Sequence, residues 1–204
     1  MAGDAVGKQL HLPALRDEEL AILARGGEEA AFAELVGRYE QRLYRLAYRL
    51  VGANEAEDVA QDAFIKIYRA LGSFRPEERF STWAYRIASN CAIDRLRRRR
   101  SMISLDAAGG TEAEDLAGNT GWSEGPEARA LDHELAAEIA RAVASLPPTY
   151  RLLIVLRHYH HLNYEEIAAA TGLPMGTIKN RLFRARQVLS QQLRHLEPGD
   201  DGGR

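Results

Sequence analysis

The fold is decided by residues 163–186, which read Asn163-Tyr-Glu-Glu-Ile-Ala-Ala-Ala-Thr-Gly-Leu-Pro-Met-Gly-Thr-Ile-Lys-Asn-Arg-Leu-Phe-Arg-Ala-Arg186. Asn163 can cap a short helix, with Glu166 as its reciprocal partner three residues later. Gly172 stands where the turn of a helix-turn-helix needs a positive φ. A second helix should then begin near Pro174. Its expected buried stripe is narrow and consists of Ile178, Leu182 and Ala185.

The other side of that second helix carries hydrogen-bond donors and one aromatic ring. These side chains belong to Lys179, Asn180, Phe183, Arg184 and Arg186. A recognition helix has this design, because an apolar stripe anchors it while donors line the surface that faces the DNA groove. The stretch therefore favours DNA binding. The alternative is a solvated basic helix in an ordinary bundle.

Outward from this motif, apolar residues recur at helical spacing in six further segments. We predict helices over residues 17–25, 28–50, 54–71, 81–99, 130–146 and 148–159. Asp17, Asn54 and Ser81 are the expected N-caps, and Gly52 should end the second helix. No segment shows a convincing strand pattern. The predicted fold class is therefore all-α, with two small helical domains joined by a flexible linker.

The linker is predicted over residues 101–128, which are rich in small residues and acids and lack sustained periodicity. It separates a first domain over residues 17–100 from a second over residues 129–197, which carries the helix-turn-helix. Residues 1–16 and 198–204 should be mobile tails.

Charge is segregated along the chain, although the formal net charge is only −2. Residues 81–100 hold six arginines and one acid, residues 101–127 hold six acids and no base, and residues 174–196 hold five bases and no acid. Segregation of this kind indicates different partners for different surfaces.

Several classes of protein are disfavoured by what the sequence lacks. No apolar run approaches the roughly 20 residues that cross a bilayer, and the first residues do not read as a secretory signal. The single cysteine, Cys91, fits a buried, inert thiol and a reducing, cytoplasmic setting. We see no catalytic nucleophile motif and no phosphate-binding loop, so we expect neither an enzyme nor a cofactor.

Three segments, in order, closely resemble the extracytoplasmic-function (ECF) sigma factors of bacterial RNA polymerase. Residues 163–186 resemble region 4 of that family. The segment Glu57-Asp-Val-Ala-Gln-Asp-Ala-Phe-Ile-Lys-Ile-Tyr-Arg69 resembles its core-binding helix. The segment Phe80-Ser-Thr-Trp-Ala-Tyr-Arg-Ile-Ala-Ser-Asn90 resembles the helix that reads the promoter −10 element.

The resemblance implies that the first domain binds the polymerase core and reads the −10 element. Core binding, through the β′ coiled coil and the β subunit, would use Asp58, Gln61 and Asp62; the alternative is a merely solvated helix face. The −10 element would be opened and read by the residues Phe74, Arg75, Phe80, Asn90, Asp94, Arg97 and Arg98. The family is known for an amide at the position of Asp94, and a carboxylate there can only accept, for instance from a cytosine amine. Trp83 is expected in the core.

The resemblance also implies that the second domain reads the −35 element. The residues at the matching positions are Arg157, Thr177, Lys179, Asn180, Phe183 and Arg184. Lys179 and Arg184 can donate to guanine, and Asn180 can pair with adenine. The family usually carries a glycine near His161, so we expect an altered turn there. An anti-sigma factor is a further possible partner.

The linker is long enough for both domains to engage one promoter. About 25 residues span at most roughly 85 Å, whereas elements about 17 base pairs apart are separated by roughly 58 Å along B-DNA. A tether of this length raises the local concentration of the second domain once the first is bound.

Two alternatives remain open at this stage. His158, His160 and His161 could belong to a metal site, although we find no further ligand at suitable spacing. A dimeric transcription regulator with one helix-turn-helix is the second alternative, but it would not explain residues 54–100.

Overall fold

The computed structural model describes residues 11–105 and 126–196, with side chains over residues 11–99 and 134–196. Within these residues the chain forms eight α-helices and no strand. They are α1 (Asp17–Arg25), α2 (Glu29–Val51), α3 (Ala53–Ala70), α4 (Phe80–Leu105), α5 (Pro126–Ser145), α6 (Pro148–Ile154), α7 (Tyr164–Thr171) and α8 (Met175–Gln192). The all-α prediction is confirmed.

The first four helices form a bundle around the apolar stripe of α2. Leu35, Tyr39, Leu43, Leu46 and Leu50 recur at three- and four-residue steps and are 0–1% exposed. That spacing places them on one face of the helix, which explains why α1, α3 and α4 all pack against α2. Gly52, with φ of 90°, ends α2 as predicted and leads directly into α3.

The predicted N-caps of the first domain are wrong, because each of the three predicted residues lies inside its helix and not before it. Helix α3 begins at Ala53 directly after Gly52, so Asn54 lies inside the first turn. Helix α4 begins at Phe80, one residue before Ser81. Helix α1 begins at Asp17 itself, whose carboxylate instead accepts from Arg38 and Tyr39.

The second bundle is built as the sequence predicts around the helix-turn-helix. The Asn163 side chain accepts from the Glu166 amide at 2.8 Å, and the Glu166 carboxylate accepts from the Asn163 amide at 2.9 Å. Gly172 has φ of 69° at the end of α7. The predicted stripe on α8, Ile178, Leu182 and Ala185, is fully buried.

Helices α4 and α5 extend beyond their predicted ends. Residues 101–105 contain no glycine or proline, so nothing stops α4 before Leu105. Helix α5 begins at Pro126, a residue type that is tolerated at the first helical position. Residues 106–125 of the predicted linker, residues 1–10 and 198–204 of the predicted tails, and residue 197 lie outside the described residues.

Residues 11–16, which we predicted within the N-terminal tail, are held against α2. Leu12–Ala14 form a 3₁₀ helix. The Arg38 guanidinium donates to the carbonyls of Leu12, Pro13 and Leu15, the last at 2.8 Å. This segment is therefore part of the first bundle.

The two bundles pack against each other, and their buried residues form one continuous core. Helix α7 lies on α4, while α6 and the following turn reach α2 and α4. As a result α4 is covered on two sides: Trp83 packs on the Phe74 and Phe80 rings on one, and Tyr85 contacts His160 of the second bundle on the other. No helix in the described part of the chain combines the length and the apolar character that a membrane crossing requires.

Candidate nucleic-acid and protein interfaces

Helix α8 presents a free polar surface opposite its buried stripe. Lys179, Asn180 and Arg184 are exposed, and the Phe183 ring is 60% exposed. Thr177 is half-buried in the first turn. The two cations, the amide and the ring therefore share one face, as a helix that enters a DNA groove requires.

Arg157 contacts residues on either side of the start of α7. It belongs to a π-helical turn, Val155–Tyr159, that follows α6. Its guanidinium donates to the Leu162 carbonyl at 2.9 Å and lies 5.3 Å from the centre of the Tyr164 ring. The side chain is half-buried, and in this conformation its donors are directed at least in part to its own domain.

The loop between α3 and α4, residues 74–80, is anchored by its two aromatic residues. Phe74 and Phe80 are only 2% and 1% exposed, and their ring centres lie 5.7 Å apart. Trp83 and Tyr39 complete the cluster, with Trp83 in the core as expected. The Phe74 and Phe80 rings thus support the loop from beneath, while Arg75 is exposed at its surface.

Hydrogen bonds from α1 hold both ends of this loop. The Phe80 amide donates to Glu18 Oε1 at 3.1 Å, and Arg25 Nη1 donates to the Phe74 carbonyl at 3.4 Å. Within the loop, Glu78 forms an ion pair with Arg86 of α4 at 2.9 Å. Sequence inspection missed Glu18 and Arg25, because no local pattern links residues so distant in the chain.

The remaining candidate −10 residues lie along the second half of α4. Asn90, Arg97 and Arg98 are exposed, so their side chains can reach a ligand. Asp94 is half-buried, and its carboxylate lies 3.8 Å from the Arg97 guanidinium. An ion pair of this length is weak and readily exchanged for another partner.

The acidic side of α3 borders a cavity of about 580 Å³ between α2 and α3. Gln61 lines it, and its amide donates to Glu57 at 3.4 Å. Asp58 and Asp62 are exposed nearby on the same helix, and Asp58 lies 3.5 Å from Arg95 of α4. This arrangement brings together the three residues predicted to bind polymerase.

The same cavity has an apolar lining that the sequence analysis did not identify. Tyr44 and Ile65 are 36% and 48% exposed, and both line it, together with Phe64. The sequence did contain a signal for this lining, because Tyr44 and Ile65 are apolar residues that lie outside the buried stripes, on otherwise polar helix faces. The pocket combines apolar walls with a rim of acids and an amide, as protein-binding surfaces often do.

The three histidines face different surroundings. His160 packs on Tyr85, with Nδ1 and the hydroxyl 3.0 Å apart, whereas His158 and His161 are exposed. Burial, together with nearby arginines, lowers the pKa of His160 to about 4. Among the described residues, no three His, Cys, Asp or Glu side chains cluster as metal ligands would. Cys91 is buried, and burial raises the pKa of its thiol.

Three further contacts join the two bundles beside His160. The Arg49 guanidinium lies 3.4 Å from the centre of the Tyr159 ring, which is a cation–π contact. Arg151 Nη1 donates to the Leu50 carbonyl at 2.8 Å. At the edge, Arg79 and Glu166 form an ion pair at 2.8 Å. The interface therefore includes two partly buried arginines, Arg49 and Arg151, as well as the ion pair at its edge.

Comparison with known proteins gives matches over both bundles. The family model for Sigma-70 region 2 matches residues 35–102, and that for Sigma-70 region 4 matches residues 136–189. The ECF RNA polymerase sigma factor SigW of Bacillus subtilis (strain 168) is 40% identical over 83% of this chain and 92% of SigW. The ECF RNA polymerase sigma-E factor of Escherichia coli (strain K12) is 40% identical over 89% of this chain and 96% of that protein.

Solved structures with this fold include two protein complexes. CnrH, bound to the cytosolic domain of CnrY, matches with a TM-score of 0.63 and 26% identity over 88% of this chain and 97% of CnrH. The sigma factor RpoE, bound to the anti-sigma factor NepR from Bartonella quintana, matches with a TM-score of 0.66 and 23% identity over 80% of this chain and 96% of RpoE.

Proposed function

Because this chain belongs to the ECF family of RNA polymerase sigma factors, we propose that its two bundles read the −10 and −35 elements of a promoter. The family assigned from three sequence segments is confirmed. As a sigma factor, the chain binds RNA polymerase and directs promoter-specific initiation of transcription. We assign it no catalytic step, since the polymerase supplies the chemistry, and we place it in the cytoplasm with that enzyme.

The exposed face of α8 carries the proposal for the −35 element. Lys179, Asn180 and Arg184 are all exposed on this face. Arg and Lys donors suit guanine O6 and N7, and the Asn amide suits adenine. Phe183 offers an apolar contact, for example to a thymine methyl group. Arg157 would contact the DNA from the turn that follows α6, and Thr177 from the first turn of α8.

For the −10 element we propose the loop and the exposed edge of α4. Arg75, Asn90, Arg97 and Arg98 are accessible, and the amide of Asn90 can pair with a base edge. Phe74 and Phe80 would contribute by shaping the loop, since their rings are buried in this conformation. Asp94 would accept a hydrogen bond from a base amine after releasing Arg97.

For the polymerase core we propose the acidic rim and apolar walls of the α2–α3 cavity. Asp58, Gln61 and Asp62 would steer and orient docking of the β′ coiled coil, because exposed charges affect association more than final affinity. Tyr44 and Ile65 would supply the apolar contact that makes the complex persist. The β subunit would be contacted elsewhere on the chain.

The observed packing of the bundles constrains when DNA can be read. Helix α7 packs on α4, and α8 packs on α7. Since packed helices lie about 8–10 Å apart, α4 and α8 are much closer together than the two promoter elements, which lie roughly 58 Å apart. One chain cannot hold both elements in this conformation. Binding to core polymerase would have to separate the bundles, and an anti-sigma factor would be expected to favour their association.

Transcription in vitro from a randomised promoter library tests the proposal. Escherichia coli core polymerase is supplied with this chain, and the 5′ ends of the transcripts are sequenced. We expect selected promoters with two conserved elements at a fixed spacing. If the chain does not bind core, or does not change where transcripts begin, the proposed function is wrong. A repressor would instead bind its operator without core.

A further inference from the structure

Helix α1 turns one face towards the −10 loop, residues 74–80. Glu18, Ala21 and Arg25 are spaced by three and four residues, so they share a helix face. Ala21 is fully buried, which brings the helix close to its neighbours. Glu18 and Arg25, two turns apart, contact the two ends of the loop.

We propose that Glu18 and Arg25 clamp the ends of the −10 loop and are positioning residues for −10 recognition. This inference rests on the proposed function of the loop. Neither residue needs to touch DNA, since each bonds to loop backbone. Their role would be to fix the distance between the loop ends, and hence the shape that the exposed Arg75 and its neighbours present.

The Glu18 contact replaces a helix cap. The first amides of a helix have no partner within it, and Ser81, the expected local cap, lies inside α4. The Glu18 carboxylate accepts from the Phe80 amide and adds a negative charge at the positive end of the helix. Because the carboxylate belongs to another helix, capping α4 also fixes α4 relative to α1.

The Arg25 contact acts at the other end of the loop. Phe74 already donates its amide to the Leu71 carbonyl at 3.1 Å, and Arg25 satisfies its carbonyl. With both ends and both aromatic side chains held, little freedom remains to be lost when a strand binds. A loop ordered in advance binds more tightly, because ordering costs are not incurred on binding.

Two probes from one promoter separate this role from a general loss of structure. The promoter is one selected by the wild-type chain in the library experiment. The first probe is its single-stranded non-template −10 segment, and the second is its −35 duplex. Binding of each probe to holoenzyme is measured for the wild type, Glu18→Ala, Glu18→Gln and Arg25→Ala.

We expect Glu18→Ala to weaken binding of the −10 probe by roughly 2- to 30-fold, the range that loss of a helix cap spans. Arg25→Ala, which removes one hydrogen bond, should weaken it by roughly 2- to 10-fold. Glu18→Gln keeps an oxygen acceptor but loses the charge, so its loss should be smaller. Binding of the −35 duplex should change by less than about twofold, since that surface lies on another helix.

Glu19→Ala is the matched control. Glu19 neighbours Glu18 on α1, but its carboxylate accepts from the Arg16 amide at 2.8 Å. We expect wild-type affinity for the −10 probe. If Glu18→Ala does not fold, binding of the −10 probe by Glu18→Gln and Arg25→Ala still tests the clamp.

Unchanged affinity of both clamp variants for the −10 probe would overturn the inference. An equal loss on both probes would overturn it as well, because it would show general destabilisation. If the wild type selects no −10 element, the proposed function itself fails, and the clamp fails with it. A wild type that binds the −10 probe while the variants match it refutes the clamp alone.

Discussion

His161 holds a left-handed backbone conformation, with φ of 56°. In the described residues it is the single non-glycine residue with positive φ, and it occupies the turn where the family resemblance led us to expect a glycine. A side chain in that region costs about 1–2 kcal/mol, less for a polar residue such as histidine. The departure from the family pattern therefore introduces strain just before the helix-turn-helix.

Replacing His161 with glycine should relieve this strain. We expect His161→Gly to raise the free energy of unfolding by about 0.5–1 kcal/mol, because the relief exceeds the entropy that glycine adds to the unfolded chain. Denaturant titration measures the change. His158→Gly, in the neighbouring helical turn, should instead destabilise the protein. A loss of stability in His161→Gly would contradict this explanation.

The buried imidazole of His160 makes the packing of the two bundles sensitive to pH. Its pKa is lowered to about 4 by burial, then by nearby positive charges, and its Nε2 is buried with no hydrogen-bond partner in the described part of the chain. An ordinary histidine in the unfolded chain titrates near pH 6.5. The unfolded state therefore binds more protons between these values, and stability falls as the pH is lowered from about 6.5 to about 4. The groups that face His160 are Tyr85, Arg42, Arg45, Arg49 and His161.

Substituting His160 by phenylalanine should remove much of this dependence. We expect the urea concentration at the unfolding midpoint of the wild type to decrease when the pH is lowered from 7 to 5. The decrease should be clearly smaller for His160→Phe, because an uncharged ring takes up no proton. The exposed His11 provides a control, since His11→Phe should keep the wild-type difference. An identical pH response in His160→Phe would show that other groups are responsible.

At the scale of single elements, α8 shows which features can be read from sequence. The buried stripe of α8, the turn at Gly172 and the cap of α7 by Asn163 and Glu166 all depend on residues whose successive spacing is three or four positions. Local spacing fixes such features, so they were predicted correctly. The exposed face of α8, which we propose reads the −35 element, follows from the same helical periodicity, because the side opposite the stripe must face outward.

Arg184 on that surface gives a direct test of element-specific recognition. We expect Arg184→Ala to weaken initiation at promoters with a −35 match by about 1–3 kcal/mol, the value of one bidentate contact with guanine. Relative initiation rates on matched and mismatched −35 promoters measure it. Arg194→Ala, beyond the end of α8, serves as the basic control. Equal losses of Arg184→Ala on both promoters would indicate a phosphate contact instead.

Helix α4 shows what local spacing cannot reveal. Its cap comes from Glu18, 62 residues away, and not from Ser81. The family resemblance placed Phe74 and Phe80 among the residues that read the −10 element, and it did not predict that their rings lie in a buried cluster with Tyr39 and Trp83. Each of these outcomes depends on which helices become neighbours. The apolar part of the proposed core-binding face was missed for the same reason, since the cavity needs Tyr44 from one helix and Ile65 from another.

At the scale of the whole molecule, the contact between the bundles should break when the chain engages polymerase and promoter. Dyes on Arg69→Cys in α3 and Gln187→Cys in α8 report the separation, and both positions are exposed. Cys91 is buried with a raised thiol pKa, so it should label slowly.

We expect energy transfer between the dyes to fall when core polymerase and a selected promoter are added, because the two elements lie roughly 58 Å apart. Promoter DNA added without core provides the control and should change little. Transfer that stays constant in the full complex would mean that the bundles remain packed, and that this chain reads one element at a time.

The packing of α4 against both bundles also limits which residue types can occupy its surface. The side that meets the second bundle becomes exposed to solvent when the bundles separate, so a wholly apolar surface there would promote aggregation. The residues present are compromises: Tyr85, Thr82 and Ser89 are at most 5% exposed here, yet each carries a hydroxyl that water can satisfy. Amphiphilic side chains of this kind suit a surface that is buried when the bundles are packed and hydrated when they are apart.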